Sequence, residues 1–447
     1  MELNTAYLQQ QLNRLPPLTH YHVAFSGGQD SHVLLHLLAG LRQQQPGLNI
    51  SAIHIHHGLQ EQADNWATHC KKVGGELNTD VQVIHVTVNK EGSLEAAARE
   101  ARYQAFKQII KPGEGLLLAH HLDDQAETLL LQLFRGAGVA GLSAMPVVTT
   151  FAEGWLLRPL LDVPRKLIKK YADTHHLCWI DDPTNLDTSF DRNYLRHRVL
   201  PLLSQRWPSL TNTLSRAASH QAEAAALLDV MAEQDYQQCK GSHQKFTTLS
   251  VSSLKKLGAE RQRNLLRYWL RQVCHLPLPD TRHMLRIQSE VLTASSDATP
   301  LVEWQGIELR RYRNELYAKD GSREQGYREA YMNQYPWDLL EPFFLPDGSM
   351  LLPELTSGIG MKASLMGKAN IRVGFRKGGE QCRPVGRRHH HSLKKLMQEW
   401  GVPPWMRERV PLIFVGDEIA QVVGFCLCEP FQARDDEKGV FISQTDV

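Results

Sequence analysis

Between residues 22 and 134 the chain alternates short apolar runs with longer segments of helical period. The runs 22–25, 50–55, 81–86 and 116–119 read as strands, and 33–41, 59–73, 94–110 and 123–134 read as helices. Strands that alternate with helices of about 10–15 residues indicate βαβ units and a parallel sheet. Ligands of such sheets lie at the carboxyl ends of the strands, so the polar residues just after each run are the first to inspect.

Directly after the first run stands Ser26-Gly27-Gly28-Gln29-Asp30-Ser31. Two glycines let backbone amides approach an anion, and the following helix adds free N–H groups and the positive end of its dipole. The segment reads as a phosphate cradle. It is not a Walker A loop, because G-x-x-x-x-G-K-[ST] occurs nowhere in the chain. A carboxylate beside a phosphate is repulsive unless a cation intervenes, so Asp30 implies Mg²⁺ between them.

After the fourth run comes His120-His121-Leu122-Asp123-Asp124-Gln125-Ala126-Glu127-Thr128. Asp124 and Glu127 are three apart and share a helix face, a pair suited to a metal or a cationic amine. His120 or His121 can stabilise charge or move a proton near neutral pH. The plainer alternative is an acidic first turn that complements the helix dipole. Arg192 and Arg196, four apart, present two guanidiniums on one face and suit phosphate. Gly136-x-Gly138-x-x-Gly141 has the dinucleotide spacing, but a helix precedes it where that motif requires a strand, so it reads as a loop.

The segment 26–31 resembles the loop of the PP-loop ATP pyrophosphatases, which hold the pyrophosphate part of ATP and adenylate a substrate. The stretch 120–128 is similar to the H-H-x-D-D-x-x-E-T signature of the tRNA(Ile)-lysidine synthetase family. Further segments match that family: His56-His57-Gly58-Leu59, the E-A-A-A-R-E-A-R-Y run at 95–103, and Arg135-Gly136-Ala137-Gly138 with Gly141, Leu142 and Met145. So do Arg158-Pro159-Leu160, Asp182-Pro183-Thr184-Asn185, and Arg192-Asn193 with Arg196. Leu393-Lys394-Lys395 and Val402-Pro403-Pro404-Trp405 look like the last domain of the family's long form.

The resemblance implies an α/β fold: a parallel-sheet, Rossmann-like PP-loop domain at 1–215, a mainly helical tRNA-binding domain at 216–335 and a small α+β tRNA-binding domain at 336–447. It implies ligation of free L-lysine to the wobble cytidine of the CAU anticodon of isoleucine tRNA, with ATP and Mg²⁺. Codon reading then changes from AUG to AUA. On this reading Ser26, Gly27, Gly28, Gln29, Asp30 and Ser31 bind ATP, and His56 or His57 touches adenine or ribose. Asp30, His121, Asp124, Glu127 and Arg192 are the catalytic candidates, with Asp30 holding the metal. Asp124 and Glu127 would grip the lysine ammonium or remove its proton. Arg135, Arg196, Arg387, Arg388, Lys394 and Lys395 are candidates for tRNA contact. The family suggests a monomer or homodimer.

Composition agrees with a nucleic-acid partner only locally. The formal net charge of the 447 residues is +2, which excludes a simple polycation, yet 362–409 holds twelve Lys/Arg against three Asp/Glu. Such a block suits an anionic partner. Arg261, Arg263, Arg267 and Arg271 form a second basic stripe, while Trp400 and Trp405 read as core rather than stacking residues. The seven cysteines are scattered without C-x-x-C, a pattern of free thiols in a cytoplasmic protein. Cys426 and Cys428, on one strand face, read as core thiols, and metal binding by His389-His390-His391 is the minor reading of that run. No apolar run approaches the roughly 18 residues of a membrane span. Missing C-x-x-C pairs disfavour a cluster-bearing tRNA thiolase. A metal-dependent hydrolase and a non-catalytic RNA binder are the remaining rivals, separable by whether activity needs ATP and Asp30.

Overall fold

Along the first strands, successive residues are buried in two different cores. Ile50 and Ala52 belong to one cluster, with Val23, Phe25, Leu117 and Leu157. Ile53 and Ile55 belong to another, with Leu116, Leu118 and Leu156. This period-2 division is the signature of a sheet covered on both faces. The computed structural model describes residues 2–58, 62–88, 94–242, 247–295, 298–321, 330–368 and 370–445. Leu59 of the His-His-Gly-Leu motif and the side chains of 94–96 lie outside them.

Two compact units divide the chain, Met1–Asp229 and Val230–Val447. In the first, the strands are β1 (His20–Ala24), β2 (Ile50–His56), β3 (Asp80–His85), β4 (Glu114–Leu117), β5 (Val148–Phe151) and β6 (Gly154–Leu157). The longer helices before and between them are α1 (Thr5–Leu12), α2 (Gln29–Gln44), α3 (Ala63–Glu76), α4 (Leu94–Lys107) and α5 (Leu122–Phe134). The sheet runs β3-β2-β1-β4-β6-β5. All neighbours are parallel except β5, which returns antiparallel to β6. The order reverses between β1 and β4, so this doubly wound sheet opens its crevice there. α2 is leucine-rich because it is covered on several sides: Leu34, Leu35, Leu37 and Leu38 are all fully buried. Each such side chain stabilises by about 1.5–3 kcal/mol relative to exposure.

After β6, the helix Arg165–Thr174 packs on α2. A helical run then extends from Asp191 through a π turn, Leu195–Val199, to Arg206. Leu195 and Leu200 from this run meet Leu130 of α5 in a small apolar cluster. That contact sets the run's polar face against the start of α5.

In the second unit, four antiparallel strands lie in the order Leu249–Ser250, Glu315–Asp320, Ile307–Tyr312, Leu301–Trp304, beside helices that include Ala259–Tyr268 and Thr281–Arg286. A further β-rich region follows. One sheet pairs Met350–Ser357 with Lys438–Thr445 over its whole length. A five-stranded sheet is built around Ile371–Gly374, Leu412–Val415 and Glu418–Val422. The short helix near the end, Leu393–Glu399, carries Lys394 and Lys395 and buries Leu393, Leu396 and Met397. None of the described helices is long and apolar enough to cross a membrane.

Candidate active site

The loop 26–31 leaves β1 at the point where the sheet order reverses. Gly27 adopts φ +84°, and Gly28 is the N-cap of α2 with no side chain capping the helix. The first amides of α2 therefore stay open to an anion. Internal bonds hold the loop. The Ser26 and Ser31 hydroxyls are 3.1 Å apart, the Gly28 amide donates to Ser26 Oγ, and the Ser31 hydroxyl donates to the Gly28 carbonyl at 3.0 Å. From outside, the Ile180 amide donates to the Gly27 carbonyl at 2.9 Å.

Asp30 lies in the first turn of α2. Its Oδ1 is buried and accepts no hydrogen bond from the described residues, while Oδ2 lies 3.6 Å from His121 Nε2. A buried carboxylate oxygen without a donor is costly unless a cation meets it. The donor chemistry and the adjacent amide cradle fit a hard ion such as Mg²⁺.

From β4 the chain enters α5 through His120 and His121. His121 is the N-cap: its Nδ1 lies 3.4 Å from the Asp124 amide, while Asp124 Oδ2 accepts from the His121 amide at 3.0 Å. This reciprocal cap fixes both side chains. His121 Nε2 faces Asp124 Oδ2 at 3.4 Å and Asp30, and Nδ1 has Asp123 at 3.8 Å. Burial pushes its pKa down, but the carboxylates of Asp124, Asp30 and Asp123 outweigh burial and raise it. His120 differs. Burial holds its pKa down to about 3, and its Nδ1 accepts from Arg158 Nε at 3.2 Å. Of the two adjacent histidines, His121 is the one that faces Asp30 and whose charged form the surrounding carboxylates favour.

Asp124 and Glu127 meet Arg192 and Arg196 in a closed quartet. Arg192 donates to Glu127 Oε2 at 2.7 Å and to Asp124 Oδ1 at 3.0 Å. Arg196 donates to Glu127 Oε1 at 2.6 Å and to Asp124 Oδ1 at 3.0 Å. Glu127 is 1% exposed on its side chain, Asp124 9%, and the two arginines 21–27%. Although burial alone would raise it, His121 and Arg192 hold the Asp124 carboxyl far below the usual carboxylate range. The π turn carrying Arg196 is one residue wider than an α turn, a feature common at functional sites.

A cleft of about 470 Å³ adjoins this quartet, lined by Arg99, Gln132, Arg135, Met145, Phe190 and Arg192 among others. Arg135 is exposed there at the C-cap of α5. A larger cleft at the N-terminal helix, lined by Tyr7, Gln10, Arg14 and Asp162 among others, holds none of the residues marked from sequence.

The structure thus brings the loop 26–31, His121, Asp124, Glu127, Arg192 and Arg196 together. His56 stands apart at the end of β2, its Nε2 3.1 Å from Asp64 and its ring against His85. His57 carries the open atom of that pair: its Nδ1 is buried without a hydrogen-bond partner among the described residues, and burial takes its pKa down to about 4. Arg158 was visible in sequence only as part of a motif; its hold on His120 and on the Pro146 carbonyl at 2.7 Å appears only in three dimensions.

The remaining marked residues lie in the second unit. Arg388, Lys394 and Lys395 are exposed, and Arg387 pairs with Glu399 at 2.7 Å. Trp400 stacks on Phe425, and Trp405 meets Tyr312 and Tyr317 edge-on beneath Arg310. In the Arg261 stripe, Arg261 neutralises the fully buried Asp235, and Arg263 pairs with Glu260 at 3.0 Å.

The PP-loop domain profile matches residues 2–203. The TilS substrate binding domain matches 249–317, and the TilS substrate C-terminal domain 371–443. A tRNA(Ile)-lysidine synthase of Coxiella burnetii is 44% identical over 424 residues, spanning 94% of this chain and 92% of that protein. The chain belongs to the tRNA(Ile)-lysidine synthase family. Synthases of Alkalilimnicola ehrlichii and Serratia proteamaculans are each 41% identical, over 97% and 98% of this chain and 96% and 98% of their own. For a lysidine synthase, a PP-loop on the switch point of the sheet is the ATP end of the site.

Proposed function

We propose that this chain ligates free L-lysine to the wobble cytidine of the CAU anticodon of isoleucine tRNA. The ring carbonyl oxygen of the cytidine attacks the α-phosphate of ATP and expels pyrophosphate. The ε-amine of lysine, deprotonated to solvent water, then attacks the adenylated carbon; the C–O bond to AMP breaks, and the proton left on the new C–N nitrogen passes to water. The reading is carried by one observation: an open amide cradle and the donor-free oxygen of Asp30 adjoin His121 and the Asp124–Glu127–Arg192–Arg196 quartet in a chain of this family.

Each group has a task suited to its surroundings. The amides at 27–31 stabilise negative charge as it grows on the leaving pyrophosphate. Asp30 would hold Mg²⁺, which when bound supplies Lewis-acid neutralisation of the phosphates. His121 keeps a proton beside Asp30 and offers it toward the phosphates. His57 Nδ1 is the better-placed atom for adenine or ribose, since His56 is engaged with Asp64.

Arg192 and Arg196 are held by carboxylates in this structure, so a phosphate that draws either guanidinium away frees carboxylate oxygens for the lysine ammonium. Binding of the first substrate then opens the subsite of the second. Asp124, held so far down in pKa, acts as a charge and not as a base. Arg135, at the mouth of the cleft, and Arg388, Lys394 and Lys395 take the tRNA backbone.

The test is ATP-dependent incorporation of labelled lysine into a CAU-anticodon isoleucine tRNA transcript. Controls are an elongator methionine tRNA and Asp30→Ala. Incorporation by the unaltered protein into the isoleucine transcript alone is expected. Pyrophosphate release without lysine incorporation would leave adenylation standing and assign a different nucleophile.

A further inference from the structure

Three of the seven cysteines converge in the second unit, far apart in sequence. Cys382 ends the short strand Gln381–Cys382, Cys426 begins the strand Cys426–Leu427, and Cys428 bridges to Pro384. Their sulfur atoms all lie within 4.8 Å of one another. Cys382 and Cys428 are buried and Cys426 is half-buried, beside Leu393, Met397, Val402 and Val422. The strands that carry them thus gather three sulfurs around one centre.

We propose that Cys382, Cys426 and Cys428 form a thiolate site for a thiophilic divalent cation, zinc in the first place, with His391 as the fourth ligand. Tetrahedral zinc with sulfur ligands at about 2.3 Å requires sulfur pairs about 3.8 Å apart, which the cluster meets with small side-chain adjustments. Structural zinc sites take four protein ligands. His391 stands directly opposite Cys382 in the antiparallel ladder. Opposed residues share a face with Cβ atoms about 4.5–5.5 Å apart, so a rotation about its side-chain bonds brings the imidazole to the ion. Binding releases one proton from each thiol, and the site then carries a single net negative charge.

The site would tie down both ends of one loop. Cys382 and His391 bracket 383–390, which carries Arg383, Arg387 and Arg388, and Cys428 fastens that loop to the neighbouring strand. Core thiols packed only as small apolar groups are the competing account.

The two accounts differ in metal content. The full chain, purified without an affinity tag from cells grown with added zinc, is expected to carry about one zinc per molecule by elemental analysis. The metal-free reduced protein titrated with Co²⁺ is expected to show thiolate-to-cobalt charge transfer and the visible bands of a tetrahedral ion. Cys428→Ser and the milder Cys426→Ser lose the metal, while Cys178→Ser, at an exposed free cysteine, retains it. His391→Ala weakens Co²⁺ binding at least tenfold; unchanged affinity would overturn the fourth ligand. No zinc in the unaltered protein and no charge-transfer band on titration would overturn the site. So would a disulfide formed on oxidation by thiols that, when reduced, bind neither ion.

Discussion

Asp124 receives both guanidiniums of the quartet on Oδ1, while Oδ2 takes the His121 amide and faces its ring. A buried carboxylate so surrounded is held ionised, and removing its charge leaves two arginines facing only Glu127. Loss of one partner of a buried ion pair costs about 3–5 kcal/mol. The arginines are a fifth to a quarter exposed, so screening reduces this, and Asp124→Asn is expected to lower the opening free energy of α5 by about 2–3 kcal/mol. Hydrogen exchange of the α5 amides at neutral pH measures it. The pH dependence has a definite sign. The folded pKa lies below the unfolded value of about 3.9. The carboxylate's contribution is therefore fully present above that value and is lost as pH falls through the folded pKa. The gap between parent and variant should close on acidification below about pH 4, and the part of it that comes from the His121 charge is lost as pH rises through the raised His121 pKa. A gap that persists in acid would mean the aspartate acts by packing, not charge.

At the scale of elements, the turn from β1 into α2 does the most with the fewest residues. Gly27 holds φ +84°, and a Cβ there would stand 2.9 Å from Ile180 Cδ1 and 3.1 Å from Cys70 Sγ. Gly27→Ala therefore combines backbone strain of about 1–2 kcal/mol with a contact against a buried thiol. ATP binding by the variant is expected to weaken about tenfold or more in calorimetry, with tRNA affinity unchanged; an unaltered ATP affinity would remove the loop's conformation from the argument. This turn was legible in the sequence because its glycines, flanking strand and flanking helix all agree. Other elements were not. The stretch 301–320, with Arg313-Asn314 as its one visible turn signal, forms three strands. The extra turn, Gln305-Gly306, has positive φ at both residues and carries no Asn-Gly or Asp-Gly signal. Pro201 falls inside a helical run that continues to Arg206. The π turn just before it accommodates a ring that would collide with a regular turn. Pairing partners were equally hidden: sequence marked Asp124, Glu127, Arg192 and Arg196 separately, and nothing in their spacing across about 65 residues states that they meet. Cys426 and Cys428 were marked together on one strand face, but that Cys382 joins them was hidden for the same reason.

Over the whole molecule, the PP-loop domain sits in the first compact unit, and the basic block 362–409 sits in the second. Within the second unit the strand Met350–Ser357 is paired along its length with Lys438–Thr445, so a truncation starting near residue 355 would break a core, not remove a module. Charge substitutions test the division of labour more cleanly. Lys394 and Lys395 are exposed on a helix whose buried face is Leu393, Leu396 and Met397. Changing both to Glu leaves that face intact. Each phosphate contact contributes roughly one to the slope of log affinity against log salt. The double variant is therefore expected to bind isoleucine tRNA more weakly and with a slope smaller by about two, while ATP affinity stays as in the parent. Pyrophosphate release should fall at low tRNA and recover at saturating tRNA, because the reacting groups in the other unit are untouched. If the salt slope is unchanged, these lysines face solvent in the complex, and the tRNA backbone contacts belong to Arg135, Arg388 and the rest of the basic surface.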